Sequence, residues 1–147
     1  MSYPEITCRL WNYDPSQDEE IYRAYKAQRN AGVTLFDTGD SYGTLDLNGR
    51  AEILLGQFER RYLEESASNN SQSNSMFDLG GIFGAKKSNS SNKQQVATKL
   101  APYPWRITRG SLVQAAKDSL KRLEQDKLCV AQTHWSTANY QPFQEGK

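Results

Sequence analysis

A chain of 147 residues with 18 basic and 17 acidic side chains carries a formal net charge of +1, which gives nucleic acid or an anionic membrane surface nothing to exploit. The length fits one domain. Its hydrophobic fraction of 37% falls below the roughly 45–50% of ordinary globular chains, and the deficit is concentrated in one polar tract.

No apolar run is long enough to span a bilayer. The start, MSYPEITCRL, lacks the basic residues and apolar stretch of a secretory signal, so a cytoplasmic, reducing setting is expected. A plastid location would require a leader upstream. Cys8 and Cys129 lie far apart, and no CxxC or Cys/His cluster suggests a metal. Cys129 sits in an apolar run and is expected to be a buried free thiol.

The first helix signal is Asp14-Pro15: an aspartate to cap, a proline for the first turn, and Gln17 at the capping-box position. Asp18, Glu19 and Glu20 suit the positive end of the dipole. Ile21, Tyr25 and Gln28 share a face with Ala24 and Ala31, a thin apolar stripe, and Gly32 stops the helix. Val33 to Phe36 is a short, partly β-branched run that predicts a strand ending at Asp37. Gly39 to Gly49 reads as a loop. A second helix is predicted from about Arg50 to Glu65, with Leu54, Phe58 and Tyr62 recurring at helical spacing.

Ser66 to Lys93 is rich in Ser, Asn and Gln and is expected to be a disordered insertion, since it buries too little to offset its ordering entropy. It contains GGIFGAKKS, which lacks phosphate-loop spacing and follows no strand. Gln95 to Leu100 predicts a second strand, ending near Lys99. The third helix is capped by Thr108 or Ser111, with Leu112, Ala116, Leu120 and Leu123 on one face. Leu128 to Gln132 predicts a third strand, ending near His134. Short apolar strands separated by helices imply parallel pairing with right-handed crossovers. No GxGxxG follows a strand, which disfavours a Rossmann arrangement.

Each strand thus ends in a residue capable of chemistry: Asp37, Lys99 and His134. The carboxyl ends of parallel strands form the active face of such folds, and neighbouring ends stand roughly 4.8 Å apart. Tyr42, five residues past Asp37, lies in a loop able to fold over that face. A free phenol, with a pKa of about 10, is a poor proton donor near neutrality. An adjacent ammonium favours its ionised form, and a carboxylate keeps that ammonium charged. A histidine can hydrogen-bond a substrate oxygen. Singly, these residues read as a turn cap, a solvated lysine, a packing tyrosine and a structural histidine; together they make a site that protonates an oxyanion as it forms.

AGVTLFDTGDSYG followed by GRAEILLG resembles the signature of the aldo-keto reductase family around its aspartate and tyrosine. VATKL is similar to the strand with that family's lysine, and QTHW to the strand end with its histidine. LVQAAKDSLKRLEQDKL resembles the helix and turn before that strand, and APYPWR is similar to plant and algal plastid members. The resemblance covers about residues 11–135 apart from the insertion. It implies that 1–147 is a partial domain, the N-terminal part of a (β/α)8 TIM barrel. It also implies NADPH as cofactor and a small-molecule aldehyde or ketone as substrate. In that scheme Tyr42 donates the proton, Lys99 and Asp37 tune it, His134 orients the carbonyl, and Asp37 approaches the nicotinamide ribose.

The chain departs from the family at two places. MSYPEITCRL does not match the Gly-Thr-Trp-like loop of the first strand, and after the strand bearing His134 only a loop and a frayed end, STANYQPFQEGK, are expected. A barrel of this type needs about 250 residues. The expectation is therefore a half-barrel inactive alone, with its missing half as a partner. A non-catalytic, cofactor-sensing or protein-binding module and an incomplete chain are the alternatives.

Overall fold

The computed structural model describes residues 14–43, 48–73 and 93–134. Helix α1 spans Asp18–Asn30, β1 Leu35–Gly39, α2 Arg50–Ser73, β2 Gln95–Leu100, α3 Arg109–Leu123 and β3 Val130–Thr133. The strands form one parallel sheet in the order β1-β2-β3. Among the described residues no helix is long and apolar enough to cross a membrane.

Local chemistry sets the helix boundaries. The Asp14 carboxylate accepts from Ser16 N at 2.9 Å and opens a 3-10 turn, Pro15–Gln17, that leads into α1. Gly32, at φ +87°, closes α1 in the left-handed region, where a side chain would be strained. The third helix uses both predicted caps at once: Ser111 N donates to Thr108 Oγ1, and Thr108 N donates to Ser111 Oγ, each at 3.1 Å.

Phe36 and Thr38 of β1, and Val96, Thr98 and Leu100 of β2, turn one face of the sheet toward the helices. There Phe36 and Val96 join Tyr22, Tyr25, Leu54, Leu55, Phe58 and Leu123 in the core. Tyr25 lies 5.0 Å from Phe36 and 5.8 Å from Phe58, ring centre to ring centre. The other face, carrying Asp37, Ala97 and Lys99, is more open.

Several expectations are corrected. The buried positions of α1 are Tyr22, Tyr25 and Arg29, while Ala24 and Ala31 are exposed. Arg29 is buried because Glu59 meets it with two hydrogen bonds of 3.1 Å, a pairing that apolar spacing cannot announce. In α3 the deepest positions are Ala115, Ser119 and Leu123; Leu112, Ala116 and Leu120 are half-buried. Small residues are needed there because α2 approaches closely. A Cβ on Gly56 would lie 2.8 Å from the Leu123 backbone.

The second helix passes Glu65 and runs to Ser73, so the first eight residues of the polar tract, 66–73, are helical. Ser66 Oγ donates to Tyr62 O and Ser68 Oγ to Glu64 O, so both hydroxyls are satisfied on the preceding turn of the helix. Residues 74–92, with the GGIFGAKKS segment, lie outside the described residues, as does Cys8. β1 and β3 each begin two residues later than predicted. Cys129 is exposed rather than buried: it precedes a strand that, among the described residues, pairs only with β2 and whose four residues are all exposed.

Candidate active site

Parallel pairing brings the carboxyl ends of all three strands to one edge of the sheet. Register then sets their heights. Lys99 pairs with Gly39, not with Asp37, so Asp37 sits two residues deeper. Gln132 pairs with Lys99, so His134 sits two residues higher. The three side chains therefore run obliquely across the sheet, a stagger of the kind that tilted strands produce. Within that line Lys99 Nζ reaches back to Asp37 Oδ2 as an ion pair and also donates to Thr38 O at 3.3 Å. His134 N donates to Leu100 O at 2.9 Å, which extends the β2-β3 ladder to the histidine.

Tyr42 enters from the loop after β1. Its N–H donates to Gly39 O at 3.1 Å, closing a tight turn, and its carbonyl accepts from Ala51 N at 3.4 Å. The turn folds the ring back over the strand end. Gly39 makes room for it, since a Cβ there would lie 3.0–3.2 Å from three atoms of the Tyr42 ring. Lys99 Nζ is 5.5 Å from the Tyr42 ring centre, and the His134 ring meets Tyr42 edge to face at 5.6 Å and 81°. The structure thus gathers all four candidate residues: Lys99 lies between Asp37 and Tyr42, and Tyr42 between Lys99 and His134.

Such an array combines a phenol, a lysine ammonium and an imidazole in one cluster. Lys99 and Asp37 are partly shielded, at 19% and 32% side-chain exposure, so their attraction is less screened than that of a surface pair. The other Asp37 oxygen, Oδ1, is buried and accepts no hydrogen bond from the described residues.

Two further groups brace the site. Asp40 N donates to Lys99 O at 2.9 Å, while its buried carboxylate accepts from Ala101 N at 2.9 Å and pairs with Arg106. Arg106 also donates to Ala101 O at 3.0 Å, so the loop after β2 is tied back onto the loop after β1. Glu52 is fully buried; it accepts from Thr98 Oγ1 at 2.5 Å and from Arg122 Nε at 2.7 Å, joining α2, β2 and α3 just below Lys99. Asp40, Glu52 and Arg106 lie inside the family-like segments, but nothing in their spacing marks them for a role.

The chain matches the model of the aldo/keto reductase family over residues 9–145. It is 43% identical over 136 residues to the chloroplastic pyridoxal reductase of Arabidopsis thaliana, covering 92% of this chain and 31% of that protein. A thermostable aldo-keto reductase crystallised with the inhibitor epalrestat superposes with a TM-score of 0.55 at 22% identity, covering 88% of this chain and 35% of that one. An aldo/keto reductase from Klebsiella pneumoniae, in complex with NADP and acetate, gives 0.56 at 19% identity, covering 91% and 35%. The chain thus spans about one third of the length of these relatives. Its three parallel strands with their helices are part of a TIM barrel. By sequence match and by fold alike, the chain belongs to the aldo/keto reductase family.

Proposed function

We propose that this site reduces an aldehyde or ketone with NADPH as the reductant. The observation that supports the reading best is the contact order Asp37–Lys99–Tyr42–His134 at one sheet edge. When bound, the cofactor supplies a hydride to the carbonyl carbon. Tyr42 O–H donates its proton to the oxygen, and the Lys99 ammonium stabilises the negative charge left on the phenol. Asp37 holds Lys99 in place through their ion pair. His134, set against the Tyr42 ring, donates to the carbonyl oxygen and orients it. The residues fit the nicotinamide end of the cofactor, because the buried Asp37 Oδ1 is an acceptor suited to a ribose hydroxyl.

The relative's name puts a pyridine aldehyde first in a substrate panel, and its chloroplast location makes a plastid the proposed setting. The test is NADPH oxidation with aldehydes and ketones, comparing wild type with Tyr42→Phe. Loss of the hydroxyl alone is expected to cut turnover by about 10²–10⁴-fold, the usual contribution of general acid catalysis. Wild-type turnover in Tyr42→Phe, with cofactor binding intact, would remove the phenol from the chemistry and the proposal with it.

A further inference from the structure

Asp40 and Arg106 stand outside the tetrad, yet they join the two loops at its edge. The Asp40 backbone prolongs the β1-β2 ladder by one bond, its N–H donating to Lys99 O at 2.9 Å. Its carboxylate takes hold two residues further along β2, accepting from Ala101 N at 2.9 Å on one oxygen and pairing with Arg106 on the other. The Asp40 side chain is 1% exposed and that of Arg106 17%. Charges shielded to this degree are costly unless paired, so each group holds the other where it stands. Arg106 is itself fixed. Its Nη1 also donates to Ala101 O at 3.0 Å, its backbone N–H donates to Tyr103 O at 2.8 Å, and its guanidinium lies 4.8 Å from the Tyr103 ring centre. Asn48 Nδ2, beyond Tyr42 in the same loop, adds a second tie by donating to the Tyr103 hydroxyl at 3.1 Å.

Asp40 thus grips the chain on both sides of Leu100, and only Ser41 separates it from Tyr42. Tyr42 N–H donates back to Gly39 and its carbonyl accepts from Ala51, whereas Asp40 reaches across to β2. We propose that Asp40 and Arg106 are a positioning pair: their ion pair fixes the turn that carries Tyr42 and so sets the phenol against Lys99 and His134. The inference deepens the carbonyl-reductase reading and rests on it for the reaction, but the placement of the ring can be read without turnover.

The chain has a single histidine, His134, and its ring meets Tyr42 edge to face at 5.6 Å. Its imidazole proton resonances therefore carry a ring-current shift from Tyr42, which Tyr42→Leu abolishes and Tyr42→Phe keeps. That shift, measured by NMR on the full chain with the imidazole neutral, as the difference Tyr42→Leu makes in each background, reports the position of the ring. Asp40→Asn keeps the shape and the acceptor for Ala101 N but loses the charge. Arg106→Lys keeps the charge but loses the forked geometry. Asp40→Asn is expected to lose most of the shift and Arg106→Lys a smaller part, with folding checked by circular dichroism; if Asp40→Asn does not fold, Arg106→Lys carries the test. With NADPH and an aldehyde, kcat should fall by about ten- to a hundredfold in Asp40→Asn, since a displacement of about 1 Å can cost 10²-fold, and KM for the aldehyde should change little. If the chain has no turnover, the shift alone decides. A shift that persists in both variants, even with stability lost, overturns the positioning role, and so does a wild-type histidine signal that Tyr42→Leu leaves unmoved. Unchanged kcat in Asp40→Asn, where Tyr42→Phe loses turnover, overturns it equally. A displaced ring alongside full turnover in Tyr42→Phe would keep the positioning pair and discard the reductase.

Discussion

At Gly39 the site depends on a missing side chain. Strand register sets this residue beside Lys99, and the Tyr42 ring occupies the space a Cβ would fill. Gly39→Ala would push the ring outward by a few tenths of an ångström, away from Lys99 and His134. Because a displacement of about 1 Å can cost 10²-fold in rate, a fall of about tenfold in turnover is expected, with cofactor affinity little changed. NADPH oxidation and cofactor titration on the same preparation check it; unchanged turnover would show that the ring tolerates displacement. The four tetrad positions were legible in the sequence because each stands at a strand end or in the loop beside one. The Asp40–Arg106 pair was not, since its partners lie 66 residues apart in loops without periodicity. Gly39 was equally silent: a glycine in a turn-rich segment reads as a turn, and only the fold reveals which ring needs its space.

Between elements, the tightest approach is where α2 crosses the end of α3. Gly56→Ala offers a better helix former, worth about 1 kcal/mol. It also sets a methyl group 2.8 Å from the Leu123 backbone, which cannot swing aside as a side chain would. Overpacking of this kind costs typically 1–3 kcal/mol, so a net loss of about 1 kcal/mol is expected in urea denaturation. A gain in stability would mean that the helices separate freely.

The packing of α1 gives a pH prediction. Burial pushes the Tyr22 phenol up to about 12 and raises the Tyr25 phenol further. Both are raised relative to the unfolded chain, so their stabilising contribution is complete below about pH 10 and is lost as pH climbs through 12. Denaturation midpoints should hold steady from neutrality to about pH 10 and then fall, and Tyr22→Phe should shallow the fall. Helix and strand identities were readable from periodicity, but the depth of Arg29 and the length of α2 were not. The first depends on a partner 30 residues away, and the second runs on through a Ser/Asn-rich stretch with no apolar periodicity to mark it.

Across the whole molecule, charge and chemistry are divided between the two ends of the sheet. At the amino ends Arg29, Glu59, Tyr25 and Gln94 form a buried network: Tyr25 O–H donates to Glu59 at 2.6 Å, and Gln94 Nε2 donates to the Tyr25 hydroxyl at 2.9 Å. At the carboxyl ends stand Asp37, Lys99, Tyr42 and His134. In barrels of this class the first end serves stability and the second catalysis. The parallel arrangement that allows this division was legible from the alternation of helix and strand. The extent of the barrel was expected as a half, and the relatives put it at about a third of their length.

The pairing of the strands also fixes an order in time. Leu35 meets Gln95 across 60 residues of chain, whereas Ala97 meets Val130 across 33. Closing the longer loop costs about 0.5 kcal/mol more, on a scale of about 0.6 kcal/mol per doubling. The β2-α3-β3 unit is therefore expected to assemble first, with α1 and β1 docking onto it. In stopped-flow refolding, truncations such as Leu120→Ala in α3 should slow folding, whereas Ile21→Val in α1 should mainly speed unfolding. The reverse pattern would place the nucleus in the amino-terminal segment. On the expected order, Lys99 and His134 find each other's strands before Asp37 and Tyr42 arrive, and the edge that gathers the four candidate residues is completed only in the last step of folding.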